Sequence, residues 1–151
     1  MIFTKTLVLH LLFFPLLVNA AVTVYISTYK EAKEGDPNHW AIFLEGNRRV
    51  ILQLANRKDD NGYFVDAPVY DKSPTRARRH KKSYFIGKIN NNNLFESAVD
   101  TIQSTPVDND STTWNCQAWA IEALDRVAHT GAFKWGEGQR EMLMEMRQYW
   151  Q

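Results

Sequence analysis

Hydrophobic positions follow two regimes along this chain. Between Val22 and Asn90 they come in short runs rich in β-branched and aromatic residues, which suit a pleated surface, and beyond Leu94 they recur at helical spacing. VTVYISTY at 22–29 predicts a first strand. After a polar linker, Lys30 to Asn38, HWAIFL at 39–44 and VILQLA at 50–55 flank the segment Glu45 to Arg49. Gly46 and Asn47 in that gap tolerate positive φ, so the pair reads as a β-hairpin. YFVDAPVY at 63–70 follows an RKDDNG turn and reads as an edge strand, because Pro68 has no N–H to give a central neighbour. SYFIGKIN at 83–90 predicts a further strand. LFESAVDTIQ at 94–103, a longer segment from Trp114 to Ala128, and a short one from Gln139 to Tyr149 read as helices. There is no internal repeat. The expected class is α+β, a small antiparallel sheet packed against two or three helices.

The N-terminus stands apart. Lys5 precedes a run from Leu7 to Val18, LVLHLLFFPLLV, which is too short to span a bilayer. Val18-Asn19-Ala20 then has the spacing a signal peptidase requires, so residues 1–20 are expected to be a removable signal peptide and 21–151 a single secreted, extracellular domain. No later stretch has the length and apolarity of a transmembrane segment. The remaining chain is long enough for one hydrophobic core and too short for two.

Charge narrows the partners only a little. Seventeen acidic residues oppose eighteen basic ones, so nucleic acid is not an expected partner and a membrane-disrupting surface has no cationic excess behind it. One segment breaks that balance: KSPTRARRHKK, Lys72 to Lys82, holds six basic residues and His80. It reads as a solvated loop, a processing site, an anionic-lipid contact or a nucleic-acid patch. Asn109-Asp110-Ser111 matches an N-glycosylation acceptor in a polar stretch.

The chain's single cysteine, Cys116, changes the picture further, since it has no internal disulfide partner. In an oxidising compartment such a thiol is buried, paired with another chain, or kept for its reactivity. Thr112, Thr113 or Asn115 can cap a helix beginning near Cys116, and the N–H groups at that terminus favour thiolate and can receive an oxyanion. Glu122, Asp125, Arg126 and His129 define the polar face of this helix, which leaves Cys116 on the apolar stripe with Trp119, Ala120, Ala123 and Val127. Free cysteine also behaves as an ordinary small core residue.

A base is available on the predicted sheet. His39 opens a strand and shares its face with Ala41 and Phe43. If the turn is odd and centred on Gly46, residue 39 stands opposite residue 53, and Gln53 can bond His39 and fix its tautomer, the task of the third group in a nucleophile–base–orienter set; an even turn would put the two on opposite faces. The candidate catalytic residues are therefore Cys116, His39 and Gln53. His80, in the basic segment, and His129, which suits the negative end of the helix dipole, are weaker candidates. One cysteine and scattered histidines show no metal-ligand spacing, and no cofactor is implied.

These residues carry a resemblance. HWAIFLEGNRRVILQLA together with WNCQAWA is similar to the lecithin-retinol acyltransferases and their phospholipase-acyltransferase relatives, a papain-like family related to NlpC-type peptidases. The resemblance spans roughly residues 38–129 and matches His39, Gln53 and Asn115-Cys116 to the family's motifs. It implies a circularly permuted papain-like fold, histidine before cysteine, and acyl-thioester chemistry on a lipid ester or peptide amide, by hydrolysis or transfer. The chain also resembles, more weakly, small secreted fungal proteins, which implies a virulence-type role against a host or competitor. A non-catalytic secreted effector or binding protein that retains the fold and engages a host protein is the alternative reading.

Overall fold

The computed structural model describes residues 20–56 and 62–149. The expected signal peptide lies outside the described residues except for Ala20, as does the 57–62 turn except for Gly62. The fold is α+β: an antiparallel sheet curled into a half-barrel, with three helices.

Strand β1 (Val22–Tyr29) is central, flanked by β2 (His39–Glu45) on one side. Beyond β2 lies β3 (Arg49–Asn56), which pairs with the short β4 (Tyr63–Val65) and β5 (Val69–Tyr70). The other side of β1 carries β6 (His80–Ile89), followed by β7 (Phe133–Trp135) at the edge. Helices α1 (Phe95–Gln103), α2 (Cys116–His129) and α3 (Gln139–Met146) complete the order.

Alternation along the strands decides what is buried. Val24, Ile26, Trp40, Ile42, Leu44, Leu52 and Leu54 turn to one face and meet Val99 and Ile102 of α1, Trp119 and Leu124 of α2, and Leu143 of α3. Fully burying each such side chain is worth about 1.5–3 kcal/mol. The opposite face carries a smaller cluster, Ala41, Phe43 and Ile51, packed with Tyr25, Tyr29 and Val69. His39 follows the alternation of Ala41 and Phe43, off the main core face, and as the first residue of β2 it lies at the strand end.

Several expectations need correction. The 63–70 run is two strands, since the proline deprives the middle of a donor and the chain leaves β3 between Asp66 and Pro68. β6 begins at His80, so the last three residues of the basic segment are strand and only its earlier part is loop, with a 3-10 turn at Pro74–Arg76. β7 was not expected; three residues between glycines carry too short a pattern to read. The hairpin pairs Glu45 with Arg49 and is centred on Asn47, so Ala41, not His39, stands opposite Gln53. Neither Gly46 nor Asn47 has positive φ. Glycine is required at 46 for space: a Cβ there would run into Asn92 Oδ1 and Val22. No helix among the described residues is long and apolar enough to cross a membrane.

Candidate active site

The N-terminus of α2 meets the beginning of β2. Asn115 caps the helix in extended conformation, its Oδ1 accepting from the N–H groups of Gln117 at 3.0 Å and Ala118 at 3.3 Å. Gln117, fully buried, donates from Nε2 to the Asn38 carbonyl at 2.8 Å. The residue after the cysteine is thus bonded to the residue before the histidine. The backbone N–H of Trp40, the next residue along β2, is near enough to the Cys116 sulfur to favour its thiolate. Between Asn38 and Trp40, His39 turns into a cleft of about 570 Å³ that Cys116, Asn115 and Gln53 also line.

Gln53 reaches His39 despite the shifted register. A two-residue shift keeps the face unchanged, so the pair meets on the diagonal with His39 Nε2 and Gln53 Oε1 3.0 Å apart. Gln53 Nε2 in turn donates to Asp66 Oδ2 at 3.2 Å, and the Asp66 N–H donates to the Gln53 carbonyl at 3.0 Å. A carboxylate accepts only, so Asp66 sets the Gln53 amide with its oxygen toward the imidazole. Nε2 of His39 must then carry the proton, which leaves Nδ1 as the acceptor. Burial lowers the His39 pKa; the Gln53 bond opposes this, Arg79 adds to it, and Asp66 opposes it. The imidazole is therefore neutral at neutral pH and able to take a proton.

The thiol does not follow the helix-terminus expectation. Burial pushes Cys116 up to about 11, outweighing the backbone N–H groups of Trp40, Cys116 and Gln117, which favour the thiolate. Only 6 % of the residue is exposed. The resting state pairs a thiol with a neutral imidazole. Of the N–H groups at this terminus, those of Gln117 and Ala118 are bonded to the Asn115 cap, and that of Cys116 is not.

Three supports were invisible in the sequence. Asp66 follows an edge strand and resembles any turn residue. Gln117 reads as one more polar helix position. Gln148, just past α3, lies far away in the chain, yet its Oε1 accepts from the Asn38 N–H at 2.8 Å, its N–H donates to Gln117 Oε1 at 2.7 Å, and its carbonyl accepts from Asn115 Nδ2 at 2.8 Å. The weaker candidates stay peripheral: His129 is exposed and bonded to the Asp125 carbonyl at 3.3 Å, while His80 bonds Ser83 Oγ at 3.0 Å and stacks edge-on against Tyr29. Asn109 of the sequon uses both ends of its amide on the Tyr63 backbone, accepting at 2.7 Å and donating at 3.1 Å.

No curated protein and no solved structure matches the chain. A family model does match, over residues 24–134, from β1 into β7, and by that match the chain belongs to DUF6540, a family of unknown function.

Proposed function

We propose that this is a secreted, cysteine-dependent hydrolase or acyltransferase of the circularly permuted papain-like kind, acting on an ester or amide carbonyl through an acyl-thioester. The observation that carries the reading is the polarised chain Asp66–Gln53–His39, which leaves Nδ1 as the acceptor of a histidine that lines the same cleft as Cys116. The leader pattern at residues 1–20 supports export.

The chemistry follows from the neutral pair. As Cys116 Sγ forms its bond to the substrate carbonyl carbon, its proton passes to His39 Nδ1. The Cys116 N–H receives the developing oxyanion. Collapse breaks the bond to the leaving alcohol or amine, which takes the proton from His39, and water or a second acceptor then cleaves the thioester by the reverse sequence. Gln53 holds the imidazole throughout, accepting from Nε2–H.

Intact-mass analysis after exposure to activated esters and peptide amides tests this directly. The wild-type chain should gain one acyl group at Cys116, and Cys116→Ala and His39→Ala should gain none. Acylation that survives in Cys116→Ala would reject the assignment.

Burial of the sulfur favours a second reading, a fold-retaining effector or binding protein in which Cys116 is a core residue. A wild-type chain that stays unmodified by every ester and amide, and that reacts with thiol reagents only on unfolding, selects that reading.

A further inference from the structure

The cleft has an uneven charge. Among the described residues, Lys30, Arg78 and Arg79 line it with Cys116 and His39, against one lining carboxylate, Asp36. The two reacting groups add no charge in the resting state, since burial keeps the thiol protonated and the imidazole neutral. Arg79 is held in place, its guanidinium donating to the Lys30 carbonyl. Among the described residues Arg78 has no hydrogen-bond or ion-pair partner, and it is exposed at the cleft's edge. Basic residues on most solvated loops point to water at random. Here the loop Ala77–Arg79 forms one wall of the only cleft, among those described, that holds the cysteine.

The rest of the lining has a different chemistry. Pro37, Leu54 and Ala55 are apolar members of the lining. A ligand matched to both features has an apolar body, a carbonyl that reaches the sulfur, and an oxyanion at its end. We propose that Arg78 and Arg79 form an anion subsite, and that the substrate of the cysteine site is an acyl compound carrying a carboxylate or phosphate group. This rests on the reading of Cys116 as nucleophile. Guanidinium groups suit planar and tetrahedral oxyanions alike, because their N–H fork matches both geometries.

Anion binding would also act on the base. The Arg79 charge lowers the proton affinity of His39, and an oxyanion bound to Arg79 cancels part of that field. A correct ligand would therefore make His39 a stronger base, and by linkage a protonated His39 would hold the anion more tightly.

The test compares three chloroacetamide probes of matched length, one ending in a carboxylate, one in its methyl ester and one in a phosphate. Their rates of adduct formation at Cys116 are measured by intact mass and normalised to the same probes on glutathione. An anionic probe should label roughly fivefold faster than the neutral ester, the scale of one exposed ion pair. Arg78→Gln should reduce that ratio, Arg78→Gln with Arg79→Gln should abolish it, and high salt should weaken it. Whichever anionic probe has the larger ratio identifies carboxylate or phosphate as the group recognised. Labelling with no charge preference, or a preference that survives in the double variant, overturns the subsite while leaving the nucleophile intact. Failure of all three probes to label the folded chain overturns both.

Discussion

At the scale of single residues, direction of hydrogen bonding matters more than proximity. Nothing in the Gln53 side chain itself selects oxygen over nitrogen for His39; the carboxylate of Asp66 does so by accepting from Nε2. Replacing Asp66 by Ala should free the amide to turn, so that the imidazole, wholly the Nε2–H tautomer in the wild type, becomes a mixture. The ring-nitrogen chemical shifts of His39 report this without any substrate, and an unchanged tautomer would remove Asp66 from the proposed relay. The same histidine predicts an acid sensitivity. Burial depresses its pKa on folding, so below the unfolded value near 6.5 the unfolded chain takes up a proton first and stability falls until the lower folded pKa is passed. Urea unfolding across that window should show a steeper acid loss for the wild type than for His39→Gln.

At the scale of elements, two loops and a bulge do most of the positioning. The pairing of β1 with β6 shifts register between Val24 and Tyr25, beside Gly87. A Cβ on Gly87 would collide with the Lys134 carbonyl and the Phe133 ring, so β7 can pair there only with glycine opposite. Gly87→Ala should cost about 1–3 kcal/mol in urea unfolding, the scale of overpacking a tight contact. A cost near zero would mean that the β7 edge repacks freely. The hairpin illustrates how much of this was legible. Strand identities follow from alternation, and the shared face of His39 and Gln53 follows for any odd turn, because alternation is insensitive to a shift of two residues. The centre of the turn was misread because Gly46 suggested a positive φ, whereas the residue is there to let Asn92 and Val22 approach. Proline at 68 was read correctly as incompatible with a central strand, but a fixed φ and a missing donor do not say whether an edge strand narrows or divides.

At the scale of the whole molecule, the C-terminal segment is the element that joins the others. Gln148 bonds Asn38, Gln117 and Asn115, so residues more than a hundred positions apart are fastened around the start of α2. Gln148→Ala keeps the backbone bonds to Gln117 and Asn115 but removes the side-chain acceptor of the Asn38 N–H, and should cost about 0.5–1.5 kcal/mol of stability. It should also slow acylation of Cys116 through a lower kcat with little change in KM, because it frees the backbone just before the histidine. Normal kcat in a destabilised variant would confine Gln148 to a structural role.

Periodicity and composition alone were enough for the α+β class, the sheet-forming runs other than β7 and the three helices, and they raised Cys116, His39 and Gln53 as candidates. Each of these rests on local chemistry: side-chain alternation, helical spacing, a capping asparagine before the one cysteine. Three things were decided only in the folded chain. The thiol's protonation depends on how deeply the helix terminus is buried, and burial outweighs the dipole and N–H groups that a local reading counts. The tautomer of His39 depends on a carboxylate that arrives from beyond the next strand. The charge of the cleft depends on where a basic loop packs, since a solvated loop and a binding wall have the same sequence until long-range contacts bring one of them to a cysteine.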